Sequence, residues 1–139
     1  MTTTGLDVFD ATIHKTNVWL KDIMQALRWE DRHKAYMGLR LTLHALRDRL
    51  TPEEASQFGA QLPMLIRGLY YEGWTRTGKP EKVRHKTEFL LPLCTYFKDA
   101  WDVAPEEIAR AVFQVISMHV SAGEVADMRH MLPHELKAL

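Results

Sequence analysis

A chain of 139 residues, 46% of them apolar, is large enough to bury one core without disulfides or structural metal, so a single domain over residues 1–139 is expected. Eighteen basic residues balance eighteen acidic ones, which excludes an overall field favouring nucleic acid or an anionic membrane surface. One cysteine, no apolar run near the ~20 residues of a bilayer span, and an opening MTTTGLDVFD without the basic and apolar parts of a secretory signal predict a soluble, cytoplasmic protein with no membrane partner.

Apolar residues at Phe9, Ile13, Leu20, Ile23, Met24 and Leu27 recur at helical spacing, with Asp7 and Asp10 placed where carboxylates suit the helix dipole. They predict a first helix from about Asp7 to Leu27. Ala35, Leu39, Thr42, Leu43, Leu46 and Leu50 predict a second, running to about Leu50. Thr51 as cap, Pro52 at the first helical position and Glu54 three residues after the cap form the start of a third. Pro63 lacks an N–H and disfavours helical geometry at Leu62, so the third helix divides there into two short pieces, the second reaching Tyr71. GWTRTGKPEK follows as the plausible linker, assigned to residues 70–82.

Shifting the sequence by seventy aligns residues 13–69 with 83–139 without gaps. Leu20, Arg40, Glu54, Leu62, Pro63 and Leu69 meet Leu90, Arg110, Glu124, Leu132, Pro133 and Leu139, against ~3 to 4 identities expected from composition. The apolar faces also coincide, and Thr51 with Glu54 becomes Ser121 with Glu124, the same capping box. The expected fold is an all-α bundle of two repeats of about 57 residues, each with two longer helices and a proline-broken third, related by a twofold axis or a translation. Pro92 replaces Asp22 and predicts a kink or late start; Pro105 replaces Ala35 and predicts a clean start, with Glu106 and Glu107 in the first turn.

The run LRLTLHALRDRLTPEEASQFGAQLPMLIRGLYYEGW (Leu39 to Trp74) and its degenerate echo ending in SAGEVADMRHMLPHELKAL resemble the bacterial family catalogued as domain of unknown function 2267. LRDRLTPEEA, QLP and GEV…LPHEL together carry the resemblance, which covers nearly the whole chain. It implies a small, all-helical bacterial protein, with no reaction, cofactor or catalytic residue to carry over.

Candidate chemistry is sparse. His119, His130 and His134 lie near Glu135, but Pro133 interrupts the i, i+4 pair and the first repeat has Arg49, Ala60 and Met64 at the matching positions, so these read as surface histidines rather than a metal site. Cys94, aligned with Met24, reads as a buried, inert thiol. Phosphate loops, nucleophile elbows and metalloprotease signatures are missing, and the pairs Glu53–Glu54 and Glu106–Glu107 are accounted for by their places in first helical turns. No catalytic residue and no cofactor is expected.

Two stretches remain as possible partner surfaces. Arg76, Lys79, Lys82, Arg84 and Lys86 concentrate positive charge at the linker exit, and read first as a solvated loop. Tyr70, Tyr71 and Trp74 precede them, and read as a plug sealing one repeat against the other. Arg40 and Arg110, present in both repeats, are placed to hydrogen-bond the carbonyls freed at the Leu62–Pro63 and Leu132–Pro133 breaks. The leading expectation is a non-catalytic interaction module with a protein partner, a second copy included. The alternatives are a small-ligand binder or enzyme with a cleft between the repeats, using His119, His130 and Glu135, or a weak nucleic-acid binder through Arg76 to Lys86.

Overall fold

A computed structural model describes residues 4–79, 85–100 and 102–131. Lys82, Arg84, Pro133, His134 and Glu135 lie outside the described residues, and so does the expected chain break at Leu132. The described residues form seven helices and no strand: α1 (Asp7–Leu27), α2 (Arg32–Arg47), α3 (Pro52–Gly59), α4 (Met64–Tyr71), α5 (Lys86–Tyr96), α6 (Pro105–His119) and α7 (Ala122–Met131).

Local chemistry sets most of these boundaries. Asp31 caps α2 by accepting from the His33 and Lys34 N–H groups, and Thr51 with Glu54 forms the reciprocal capping box at the start of α3. Pro63 stands at the N-cap of α4, so the third helix does divide where the proline removes a donor. Pro105 opens α6 with Glu106 and Glu107 in its first turn.

Four expectations need correction. The second helix ends at Arg47 rather than Leu50, because the Arg49 and Leu50 N–H groups bond back to Leu46 and Arg47 in a tightened turn that leads into the Thr51 cap. Pro92 lies inside α5 and does not delay its start at Lys86. Tyr70 and Tyr71 belong to α4 rather than to the linker. Cys94 is exposed, not buried: at about 100° per residue it falls at the edge of the stripe that Phe89, Leu90, Leu93 and Phe97 turn inward.

The core is one apolar cluster centred on α2, which packs against α1, α4, α5 and α6 through Ala35, Leu39, Leu43 and Leu46. Gly38 permits the approach of α6, since a side-chain carbon there would meet Ile108 Cγ2 at 3.0 Å. Trp19 and Ile23 from α1, Phe58 from α3, Ile66 and Tyr70 from α4, Phe89 from α5 and Val112 from α6 complete it.

Candidate functional site

Helix α4 is short, and its placement rests on polar side chains reaching it from α2. Arg40, His44 and Arg47 fall within about 60° of one another on the α2 wheel. Arg40 binds the Glu72 carboxylate and the Tyr36 hydroxyl. His44 Nε2 donates to the Leu69 carbonyl at 2.8 Å, and burial lowers its pKa, which keeps the ring neutral. Arg47, almost fully buried, donates to the carbonyls of Tyr70 and Glu72, both at 2.6 Å. These are the last carbonyls of α4, which have no partner within the helix. At the other end, Arg67 folds back from α4 to the carbonyls of Gly59 at 3.0 Å and Leu62 at 2.8 Å, across the proline break.

With α4 fixed in this way, α1, α2 and α4 enclose a groove of about 620 Å³. Leu20, Leu39 and Ile66 form its floor, all buried. Phe9 on one wall and Met64 and Leu65 on the other stand 46%, 48% and 47% exposed. The hydroxyls of Thr12 and Thr16 are engaged in the walls, Thr12 accepting from the Leu65 N–H and Thr16 donating to the Thr12 carbonyl. Tyr36 and Glu72 are the ionisable groups of the lining, and both are bound to Arg40. The lining therefore presents apolar surface in quantity and no pair of groups set for acid–base or nucleophilic work.

The residues singled out in the sequence are distributed differently. Tyr70 is wholly buried and its hydroxyl, held protonated by burial, donates to the Ala55 carbonyl at 2.9 Å. Its ring meets those of Phe58 and Tyr71, and Tyr71 in turn meets Trp74, so these aromatics join α4 to α3 within the first half of the chain. Gly59 serves the same contact, since a Cβ there would meet the Tyr71 hydroxyl at 2.5 Å. The basic stretch does not form one open patch: Lys79 lies 3.6 Å from Asp48 with its side chain 8% exposed, Lys86 pairs with Glu106 at 3.0 Å, and Arg76 is exposed. The Lys86 hydrogen bond holds the Glu106 carboxyl below the usual range.

Arg40 does not cap the Pro63 break, and the Leu132–Pro133 break expected to engage Arg110 lies outside the described residues. Arg40 is held by Glu72 and Tyr36, Arg110 by Glu106 one turn earlier at 2.9 Å, and the carbonyls at the Pro63 break go to Arg67, the nearer guanidinium. Ser121 accepts from the Glu124 N–H at 3.3 Å, one half of the box made by Thr51 and Glu54. His119 bonds to Asp22 at 2.9 Å and stacks on Trp19, while His130 is exposed. No group of three metal-ligating side chains comes together among the described residues. Likewise, no helix among them is long and apolar enough to cross a membrane.

The class defined by these observations is an all-α domain with an apolar groove between α1, α2 and α4. The chain belongs to the family described as uncharacterized conserved protein (DUF2267), whose model matches residues 16–139. Curated proteins give no match to the sequence.

Proposed function

We propose that the protein is a non-catalytic interaction module whose α1/α2/α4 groove receives the apolar face of a helix from a protein partner. The observation that carries this reading is the groove itself. It has a buried aliphatic floor, walls of exposed Phe9, Met64 and Leu65, and ionisable groups already paired to Arg40. Apolar anchors at i, i+3, i+4 and i+7 of an incoming helix suit such a cleft. The ligand or enzyme reading has less to stand on, because His119 is paired with Asp22 and His130 is not among the residues lining a cleft with it. The nucleic-acid reading loses Lys79 and Lys86 to ion pairs. The exposed thiol of Cys94 suits the reducing cytoplasm expected from the sequence.

The same reading takes the chain as an internal duplication with an approximate twofold relation. Helix α1 packs on α6 while α5, its counterpart, packs on α2; α2 also meets α6, and α3 meets α7. Exchanging the halves returns the same set of pairs, as a twofold axis requires. In the cleft between α3 and α7, Glu54, Gln57 and Phe58 share the lining with Glu124, Asp127 and Met128, each seventy positions on.

A photoreactive amino acid placed at Leu65, with Leu91 as an exposed control on α5, tests the function in producing cells. A discrete protein adduct at Leu65 and none at Leu91 is expected. Equal labelling at both sites, or none at Leu65, would sink the reading, and an adduct of twice the chain's 16.1 kDa would identify the partner as a second copy.

A further inference from the structure

The α1–α4 seam has a second cleft on its other side, of about 590 Å³, sharing Met64 with the apolar groove. Thr12 and Ile13 of α1 face the groove; the next two residues, His14 and Lys15, line the second cleft with Gln61, Arg67 and His119. The charges of this shelf are not neutralised from within the fold. Lys15 and His14 make no hydrogen bond or ion pair among the described residues. Arg67 is bound by backbone carbonyls alone, which position the guanidinium without cancelling its charge. His119 differs, because Asp22 pairs with it. Elsewhere around the groove Glu72 pairs with Arg40, and Asp10 accepts from the Thr4 N–H and hydroxyl, both at 3.0 Å. In a chain of zero net charge the groove lining holds no basic side chain, and the cleft that adjoins it at Met64 carries Lys15 and Arg67 without an acidic partner among the described residues.

We infer that the partner helix is acidic along one flank, with Asp or Glu beside its apolar stripe lying over His14, Lys15 and Arg67. This rests on the groove reading above and adds the chemistry of the partner's polar edge. A helix with a basic flank would bring like charges against Lys15 and Arg67, and a neutral one would forgo their attraction. Charges at the rim of an interface set preference and salt dependence more than total affinity. An acidic flank is thus expected to favour binding by about 3- to 10-fold over a basic one at low salt.

The test is selection of a displayed library of amphipathic helical peptides, with a fixed Leu stripe and randomised flanks, against the full chain and two variants. Leu65→Glu identifies groove-dependent binders as those it loses. Lys15→Glu reverses one exposed, unpaired charge on α1, and circular dichroism verifies that both variants fold. Groove-dependent binders enriched in Asp and Glu on one flank, with that enrichment lost or inverted against Lys15→Glu, are the expected result. Groove-dependent binders with neutral or basic flanks would overturn the acidic-partner inference and leave the groove standing. Absence of any binder that depends on Leu65 would overturn both.

Discussion

The Nη1 of Arg47 lies 2.6 Å from the carbonyl oxygen of Tyr70 and donates to it from within the core. The same nitrogen reaches the Glu72 carbonyl, and Arg47 Nε reaches Asp48 Oδ1 at 3.1 Å, so a buried charge is compensated by two backbone dipoles and one carboxylate. The consequence is a short helix whose end is anchored by its neighbour. An isolated two-turn helix is marginal in water, and α4 carries one wall of the groove. Arg47 therefore links stability to whatever the groove binds.

Replacing Arg47 with Met should cost about 2–4 kcal/mol, because the Tyr70 and Glu72 carbonyls and Asp48 lose a charged donor together. Arg47→Lys should recover less than half of that, since an ammonium cannot reproduce the planar fork. Urea unfolding midpoints, compared at unchanged m-value, measure both. A lysine variant as stable as the parent would show that charge alone matters there.

His44 predicts a pH dependence. Burial holds its pKa below the ordinary value of about 6.5, and the Arg47 and Arg40 charges act in the same direction against the pull of the Leu69 carbonyl. The unfolded chain then binds a proton more readily than the fold does, so stability is complete above about 6.5 and declines as the pH falls below it. His44→Gln can keep a donor for Leu69 without titrating. Melting temperatures from about pH 7 down to about pH 5 should fall less in the variant than in the parent; parallel curves would remove His44 from the account.

The helix boundaries around Asp7, Leu27, Pro52 and Pro63 follow from periodicity, capping and proline, which are local and readable residue by residue. Helix-face exposure is not local. Phe9 continues the apolar stripe of α1 and reads as core, yet among the described residues it is 46% exposed, and periodicity cannot register a missing neighbour. Arg47 and His44 are illegible in the sequence for another reason. Matching the halves favours residues present in both, and positions 114 and 117 hold Gln and Ser, so the α2 residues that anchor α4 are invisible to that comparison. A basic stripe at i, i+4 and i+7 was the available signal. Cys94 failed by geometry, since a position near the edge of a stripe can turn either way.

The two helix starts that look alike in sequence should differ in energy. Thr51 accepts from the Glu54 N–H at 3.2 Å and its own N–H donates to Glu54 Oε1 at 2.8 Å, whereas Ser121 makes the first bond alone. Thr51→Ala should cost about 1 kcal/mol and Ser121→Ala about half as much. Equal losses in thermal unfolding would mean that the Thr51 hydroxyl is worth no more within the reciprocal box than the Ser121 hydroxyl is alone.

Gly68 separates the stability of α4 from the openness of the groove. It lies inside α4 and lines the groove, and a Cβ there meets nothing within 4 Å. Gly68→Ala should therefore gain about 0.5–1 kcal/mol by removing the conformational freedom of glycine in the unfolded chain, and raise the melting temperature by about 2–6 °C. Gly68→Phe should keep the fold, because the ring enters open space, and should fill part of the cleft that an incoming helix needs. Binding of a groove-dependent peptide is expected to weaken at least about 10-fold in the Phe variant, more than 1.4 kcal/mol, and to change little in the Ala variant. A Phe variant that still binds like the parent would place the contact on the ridges formed by Phe9 and Leu65 rather than in the groove between them.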